Sequence, residues 1–257
     1  MLVKDVLRWL NELAPFESAE DFDNVGLLLG DENAPVTGVT FGLDVCEALI
    51  AQAVEAGANL IVTHHPFIFQ PLKRIEYTAP QGRLLCELTQ RRLNVVAAHT
   101  NWDKACGGVG DTLAAALGLQ NVQRGDDYLR VGDLPSPMTE SELSHAVEAA
   151  IHTAPRLYGK ADEPIRRVAV GGGSYGGNAE LALALGAQAY LIGEIHHHDI
   201  IDACGRGLLV LDGGHYATEA PGIATLYQRY LSDAPRAGFT APARLCATAP
   251  YRGATLC

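Results

Sequence analysis

Long hydrophobic runs are absent from this chain: no apolar stretch reaches the ~18 uncharged residues of a membrane-spanning helix. Cys-x-x-Cys pairs are also absent among its six cysteines, which argues against a cysteine-bound zinc site or a disulfide framework. Basic residues are scarce, since 19 Lys and Arg face 30 Asp and Glu, giving a net charge of −11. Binding to a phosphate backbone requires a basic face, so this balance argues against nucleic acid as a partner.

The composition is that of an ordinary globular protein, with 48% apolar and 19% charged residues in 257. This length allows one large α/β domain or two smaller ones. The first five residues, Met-Leu-Val-Lys-Asp, carry charges where a signal peptide requires its apolar core. We therefore expect a cytoplasmic protein with no membrane partner.

The stretch 57–66 is the most informative part of the chain. Gly57-Ala58 introduces a short apolar, β-branched run that ends in His64 and His65, which is typical of a buried parallel strand. Three other apolar runs, at 93–98, 189–192 and 208–211, end just before His99, Glu194 and His215. Because α/β proteins place their chemistry at the carboxyl ends of such strands, the pattern predicts one shared site.

A strand, a helix, a Gly-Ala pair and another strand recur in the two halves of the sequence, with Gly57-Ala58 in the first and Gly186-Ala187 in the second. The pattern predicts an α/β fold of two similar lobes with mainly parallel sheets, facing each other across a metal-containing cleft. The expected boundaries are 1–120 for the first lobe, 121–164 for a short intervening segment and 165–257 for the second lobe.

Imidazoles and carboxylates near the predicted strand ends are the candidate ligands for divalent metal: His64, His65, His99, Asp103, Glu194, His196, His197, His198, His215 and Glu219. Adjacent residues leaving a strand point in different directions, so His64 and His65 suit two neighbouring ions better than one. Glu219 is placed to bridge such ions, and Asp103 to bind one of them. Two ions roughly 3.5–4 Å apart activate a shared water, and their residual positive charge favours an anionic small-molecule substrate.

Several of these features have simpler interpretations. His196, His197 and His198 open a helix, so at most two of them can face a common point, and we expect His145 and His152 to be solvated. The acidic residues at 20–23 are typical of a solvated loop. The motif Gly171-x-Gly173-x-x-Gly176, followed about twenty residues later by Glu194, also has the spacing of a dinucleotide-binding or phosphate-binding turn.

Six segments together resemble one known family over nearly the whole chain. They are Asp23-Asn24-Val25-Gly26-Leu27, Thr63-His64-His65-Pro66, His99-Thr100-Asn101-Trp102-Asp103, Gly108-Val109-Gly110-Asp111, Gly193-Glu194 and Gly214-His215-Tyr216-Ala217-Thr218-Glu219. In this order they resemble the GTP cyclohydrolase 1 type 2 homologue family, also called Nif-three-like. Trp102 and Gly110 depart from the Leu and Asn that are commoner in the family pattern.

The resemblance implies a dinuclear metal centre held by His64, His65, Asp103, His215 and Glu219. Glu219 would bridge the ions, and His99 would orient Asp103 or carry protons. It also implies a ring-like homohexamer, a trimer of dimers.

We therefore expect a dimetal-dependent hydrolase of a nucleotide or phosphorylated small molecule, with GTP ring opening as one candidate reaction. The alternative is a non-enzymatic metal-binding regulatory or scaffold protein. Mixed His and carboxylate ligands accept zinc, manganese, iron or nickel.

Overall fold

The computed structural model describes residues 1–175 and 178–251. Its described strands are β1 (Gly26–Leu29), β2 (Val39–Gly42), β3 (Leu60–Thr63), β4 (Asn94–Ala97), β5 (Gln120–Arg124), β6 (Arg130–Met138), β7 (Arg156–Tyr158), β8 (Ile165–Gly171), β9 (Ala189–Ile192), β10 (Leu209–Asp212) and β11 (Ala243–Leu245). Its described α-helices are α1 (Val3–Leu13), α2 (Glu47–Glu55), α3 (Pro80–Gln90), α4 (Thr100–Lys104), α5 (Val109–Ala116), α6 (Glu140–Ile151), α7 (Ala179–Ala184), α8 (His197–Gly205) and α9 (His215–Ala237). None of these helices has the length and apolar character needed to cross a bilayer. The alternation of helices and strands confirms the α/β class.

The chain divides into two compact units. Unit 1 contains Met1–Cys106 together with the described residues from Ile223 onward, and unit 2 contains Gly107–Gly222. The division differs from the expected lobes at 1–120, 121–164 and 165–257, because the chain returns to unit 1 within α9. Residues 252–257, the end of the expected second lobe, lie outside the described part of the chain.

Aromatic packing explains why the end of the chain belongs to unit 1. The ring of Trp9, on α1, meets Tyr230 edge-on at 5.4 Å between centroids and donates its indole N–H to Asp233 at 3.1 Å. Phe41 of β2 packs against Tyr227 and Tyr230 at 5.7 and 5.4 Å. The second half of α9 therefore completes the core of unit 1, to which large buried aromatic rings contribute strongly.

The sheet of unit 1 has the strand order β1-β4-β3-β2-β11, with only β1 antiparallel to its neighbour among these strands. All four residues of β2, β3 and β4 are buried, as expected for central strands covered on both faces. The parallel register places Thr63 beside Gly42 on one side and beside Ala97 on the other. These three strands therefore end at the same edge of the sheet.

The sheet of unit 2 has the order β5-β6-β8-β9-β10-β7. Its central strands β8, β9 and β10 are parallel, whereas β6 and β7 join them in antiparallel orientation. The segment 121–164, expected as a separate connecting piece, supplies β6, α6 and β7 to this same layer. Its apolar residues Val131 and Leu143 are buried, because they pack within unit 2 rather than in a core of their own.

The two Gly-Ala pairs have the same local structure. Gly57 and Gly186 follow α2 and α7 with φ angles of +64° and +83°. In each case the glycine N–H binds the carbonyl three residues back and the alanine N–H binds the carbonyl five residues back, at 2.9–3.0 Å. This is the Schellman motif, which ends a helix and turns the chain into the next strand.

Candidate metal centre

The shared strand edge of unit 1 places its candidate ligands. The His64 N–H donates to the Gly42 carbonyl at 3.3 Å, and the His65 N–H donates to the Leu43 carbonyl at 2.9 Å. His64 and His65 thus continue β3 along β2 for two more residues. His99 lies two residues after β4 and precedes α4, whose first turn contains Asp103.

His64 is fully buried, and its ring orientation is fixed by the backbone. Its Nδ1 lies 2.9 Å from the Ala98 carbonyl oxygen, which only accepts hydrogen bonds, so Nδ1 carries the proton. The other ring nitrogen, Nε2, lies 3.5 Å from Asp103 Oδ1. In the neutral ring Nε2 presents a lone pair, so two acceptors face each other. A cation between them removes the repulsion, which is the arrangement of a metal site.

His65 and His99 are oriented by carboxylates. The Nδ1 of His65 lies 2.7 Å from Asp44 Oδ1, and the Nδ1 of His99 lies 2.8 Å from Asp23 Oδ1. In both rings the proton on Nδ1 is committed to an acidic partner, which leaves Nε2 for a metal or a substrate. Metal-binding histidines characteristically have this carboxylate behind the ring.

The side chain of Asp23 is fully buried, contrary to the solvated loop expected for this acidic segment. Burial raises the pKa of this carboxyl, but hydrogen bonds from His99 and Thr100 outweigh that effect and hold the pKa far below its usual range. The Thr100 N–H donates to Asp23 Oδ2 at 3.0 Å. Asp23 is therefore an ionised acceptor that ties the segment before β1 to the end of β4.

His64, His65 and His99 offer ligand atoms that all lie within 4.8 Å of one another. Their ring centroids are 5.1 to 5.7 Å apart. Three imidazoles whose Nδ1 atoms are already bonded are a donor set that fits a divalent transition metal. The His99 ring binds Asp23, and the His99 carbonyl accepts the Asp103 N–H at 3.0 Å.

The candidate ligands of unit 2 lie one turn apart at the start of α9. His215 Nε2 is 3.0 Å from Glu219 Oε2, and the Glu219 side chain is nearly fully buried. Gly214, with a φ angle of +80°, makes the turn from β10 into this helix. A buried carboxylate beside an imidazole nitrogen is a second pair of atoms suited to a divalent cation.

The glycine-rich loop after β8 packs against Glu219. A Cβ on Gly173 would overlap Glu219 Oε1, and Gly173 has a φ angle of +57°. The Gly173 N–H donates to the Thr218 hydroxyl at 3.1 Å. Glycine is therefore required here for close approach to a buried carboxylate, a reason unrelated to a dinucleotide. Gly176, the last glycine of the predicted dinucleotide motif, lies outside the described residues.

Glu194 and Ser174 contact the opposite side of the His215 ring. His215 Nδ1 lies 3.1 Å from Ser174 Oγ and 3.3 Å from Glu194 Oε1. The Ser174 hydroxyl donates to Glu194 Oε2 at 2.7 Å. That hydrogen bond, together with the neighbouring His215, lowers the pKa of Glu194, more than its partial burial raises it. Glu194 therefore lies in this site as an ionised side chain behind a ligand.

His196, His197 and His198 lie at the start of α8 and are all exposed. The rings of His196 and His198 stack on each other at 5.7 Å, and His198 faces Asp199. Within the described part of the chain, none of the three belongs to a group of side chains arranged to hold an ion. His145 and His152 are exposed, as the sequence predicts.

Sequence reasoning missed three residues of these sites: Asp23, Asp44 and Ser174. Asp44 follows β2, the neighbour of β3, so the rule that selected the strand-end histidines would also have selected it. Asp23 lies 76 residues from His99, and no local pattern connects them. Ser174 lies within the glycine-rich turn, whose sequence pattern draws attention to its glycines and not to the hydroxyl between them.

Comparisons with known proteins agree with the fold. A protein of Clostridium perfringens (strain 13 / Type A) named GTP cyclohydrolase 1 type 2 homolog is 33% identical over 230 residues, covering 86% of this chain and 88% of that protein. The crystal structure of Staphylococcus aureus protein SA1388 matches with a TM-score of 0.91 and 25% identity, covering 98% of this chain and 99% of the other. The structure of a Bacillus cereus protein related to NIF3 matches with a TM-score of 0.93 over 98% of both chains, and at 22% identity it supports the fold alone.

The family model described as Duf34/NIF3 (NGG1p interacting factor 3) matches residues 1–245. This match covers both units and all the candidate ligands, and it confirms the resemblance seen in the sequence motifs. The chain therefore belongs to the Duf34/NIF3 family.

Proposed function

We propose that this protein is a dimetal-dependent hydrolase of a nucleotide or other phosphorylated small molecule. The observation that carries the proposal is the convergence of His64 and His65 beside His99, each of the three with Nδ1 already bonded and Nε2 left for a metal ion or for proton transfer. Histidines that are merely buried or solvated have no need for this shared arrangement. The name of the Clostridium perfringens relative supports including GTP ring opening among the reactions to be tested.

The proposed metal ligands are His64, His65 and Asp103 of unit 1 and His215 and Glu219 of unit 2, with Glu219 as the bridge. A pair of divalent ions would lower the pKa of a water molecule and polarise the bond to be hydrolysed. The buried His64 and Glu219 exclude bulk water from their own ligand atoms, and their fixed orientations reduce the reorganisation needed for binding.

His99 is the proposed proton carrier, positioned by Asp23. With Nδ1 held by the Asp23 carboxylate, Nε2 is the only ring atom that can exchange a proton with substrate or water. The arrangement resembles the orientation of a general base by a buried acid.

Charge favours an anionic substrate. Two divalent cations carry more positive charge than Asp103 and Glu219 neutralise, so the proposed centre is positive within a chain of net charge −11. A phosphate group is attracted to such a centre, whereas the rest of the acidic surface repels it. Substrate specificity is therefore expected to depend strongly on the phosphate.

The test is elemental analysis of the purified protein, followed by hydrolysis assays on nucleotides and phosphate esters with and without a chelator. We expect zinc, manganese, iron or nickel at two ions per chain, turnover that chelation abolishes, and restoration of turnover by the same metal. Glu219→Gln should lose turnover, while Glu148→Gln, an exposed change in the same unit, should keep it. A correctly folded protein that binds no divalent metal contradicts the proposal.

We include in the proposal a homohexamer built as a trimer of dimers. Phe22, Ile75 and Tyr77 of unit 1 are 64%, 53% and 76% exposed, and contacts between subunits would cover such side chains. Light scattering of the purified protein measures the assembly directly. If Glu219→Gln changes assembly or partner binding and no substrate is turned over by the metal-loaded wild type, the regulatory or scaffold function is supported instead.

A further inference from the structure

The side of the His215 ring opposite Glu219 is held by two polar groups. Ser174 Oγ lies 3.1 Å from Nδ1, Glu194 Oε1 lies 3.3 Å from it, and the Ser174 hydroxyl lies 2.7 Å from Glu194 Oε2. A hydroxyl can donate only one hydrogen bond, and Ser174 donates its hydrogen bond to the Glu194 carboxylate. Ser174 Oγ and Glu194 therefore both act as acceptors toward His215 Nδ1, which must carry a proton.

Glu219 has the opposite effect on the same ring. Its Oε2 lies 3.0 Å from His215 Nε2, and a carboxylate oxygen favours a proton on the nitrogen that faces it. A neutral ring can satisfy only one side. If Glu219 prevailed, Nε2 would carry the proton and could not bind a metal.

The loop that carries Ser174 is held at both ends. Gly173 is fixed by the Thr218 hydroxyl and by its close approach to Glu219. The Tyr175 hydroxyl donates to Asp126, a carboxylate that also accepts backbone N–H groups from Tyr128 and Leu129. Ser174 therefore has a defined position even though its own side chain is exposed, and this is what a residue that positions another requires.

We propose that Ser174 and Glu194 are positioning residues that hold His215 with its proton on Nδ1, so that Nε2 is presented to a divalent cation beside Glu219. The reason for holding the His215 ring in this way rests on the proposed metal function. Which ring nitrogen carries the proton can be measured in the protein without metal. Ser174 acts as the direct acceptor, and Glu194 polarises it and supplies negative charge that makes the ring a stronger donor to the metal.

The first experiment is nitrogen-15 NMR of the metal-free full chain with labelled histidine, at about pH 9, well above the ~6.5 at which an ordinary histidine titrates. We expect the His215 signal of the wild type to report a proton on Nδ1. In the double variant Ser174→Ala/Glu194→Ala, the proton should move to Nε2, where Glu219 accepts it. Ser174→Thr keeps the hydroxyl and should retain the wild-type signal.

The second experiment measures zinc binding by equilibrium titration of the same proteins. Loss of a group that orients a metal-binding histidine typically costs about 10–100-fold in affinity, so we expect a loss of that size in the double variant. The matched control Ser136→Ala/Glu148→Ala, two exposed side chains of unit 2, should bind zinc as the wild type does. Circular dichroism verifies that each variant is folded.

The two measurements separate this inference from the proposed function. An unchanged His215 signal in a folded double variant overturns the positioning role, whatever the metal data show. A proton that moves to Nε2 in a protein whose wild type binds no zinc supports the positioning role and contradicts the metal centre. A shifted proton with a matching loss of zinc affinity supports both.

Discussion

Single residues of this protein are constrained by what lies against them more than by their own chemistry. Gly173 and Gly207 both have positive φ angles, +57° and +85°. A Cβ on Gly173 would overlap the Glu219 carboxylate, whereas a Cβ on Gly207 would meet nothing within 4 Å. The pair therefore separates the cost of the backbone conformation from the cost of displacing a candidate ligand.

We expect Gly207→Ala to lower the free energy of unfolding by about 1–2 kcal/mol, the usual cost of placing a side chain in the left-handed region. Gly173→Ala should cost more than this, because Glu219 must also move, and it should weaken zinc binding while Gly207→Ala does not. Chemical denaturation and zinc titration of both variants check this. Equal stability and equal zinc affinity of the two variants would show that Glu219 does not depend on the glycine.

Asp126 provides a prediction about pH. Burial raises the pKa of this carboxyl, but hydrogen bonds from Tyr175 and from the backbone N–H groups of Leu129 and Tyr128 lower it further, so the net pKa in the fold lies below 3.8. A carboxyl with a depressed folded pKa stabilises the fold above its unfolded pKa, and this stabilisation disappears as the pH falls through the folded value.

The difference in unfolding free energy between the wild type and Asp126→Asn should therefore be largest near neutral pH and should shrink as the pH falls below about 4. Denaturation curves across this pH range measure it. Asp127→Asn, at the neighbouring and more exposed carboxylate that pairs with Arg124 at 2.9 Å, controls for the loss of a surface charge and its ion pair. A difference that is constant down to pH 2 would contradict the assignment of Asp126 as an ionised acceptor.

At the scale of elements, the ends of the helices were the features that the sequence predicted best. The Gly-Ala pairs correctly located the ends of α2 and α7 because only a few residues tolerate the left-handed turn of a Schellman motif. The same hydrogen-bond pattern ends α3, where Arg92 and Leu93 donate to the Thr89 and Leu88 carbonyls at 3.1 and 2.9 Å. There the left-handed position is occupied by Arg92, with a φ angle of +53°.

We expect Arg92→Gly to raise the free energy of unfolding by about 1 kcal/mol, because glycine adopts this conformation without the clash that a Cβ makes. Arg92 is exposed, so little packing is lost. Arg92→Ala removes the same long side chain but keeps the Cβ, and it should give no such gain. Thermal and chemical denaturation of both variants decide whether the backbone or the arginine side chain is responsible.

Strand ends were predicted as positions for chemistry, and the physical reason is the common edge of β2, β3 and β4. This rule identified His64, His65 and His99 because they follow buried apolar runs. It could not identify Asp23, since the partner of His99 comes from a distant acidic loop with no periodic pattern. Pairings between distant segments of a chain leave no local signature, whereas hydrophobic periodicity and turn residues do.

At the scale of the whole molecule, the α/β class followed from the sequence but the unit boundaries did not. The sequence predicts a single helix here, and its one local sign of the boundary is Pro221-Gly222, which stands immediately before Ile223, the first residue of α9 that belongs to unit 1. Only the packing of Tyr227 and Tyr230 on Phe41 and Trp9 settles the assignment. Fold class depends on local patterns, and the division into units depends on side-chain contacts between distant segments.

Metal binding should be measurable as stability of the whole chain. A ligand that binds only the native state stabilises it by about 2.7 kcal/mol when its concentration is 100 times the dissociation constant. We expect zinc to raise the unfolding temperature of chelator-treated protein, and His65→Ala to reduce this shift. His145→Ala, an exposed histidine on α6, should leave the shift unchanged. The same shift in both variants would place zinc binding elsewhere.

The return of the chain to unit 1 within α9 affects the order in which the protein is made. The described residues of unit 2 all lie between Gly107 and Gly222, whereas unit 1 lacks its edge strand β11 and the aromatic residues of α9 until the residues from Ile223 onward are synthesised. On the ribosome, the core of unit 1 is therefore incomplete until the residues from Ile223 onward have followed residues 1–106, while the residues of unit 2 between them are made together. During translation the apolar faces of α1 and β2 remain uncovered longest, and this interval is when a nascent chain most needs a chaperone.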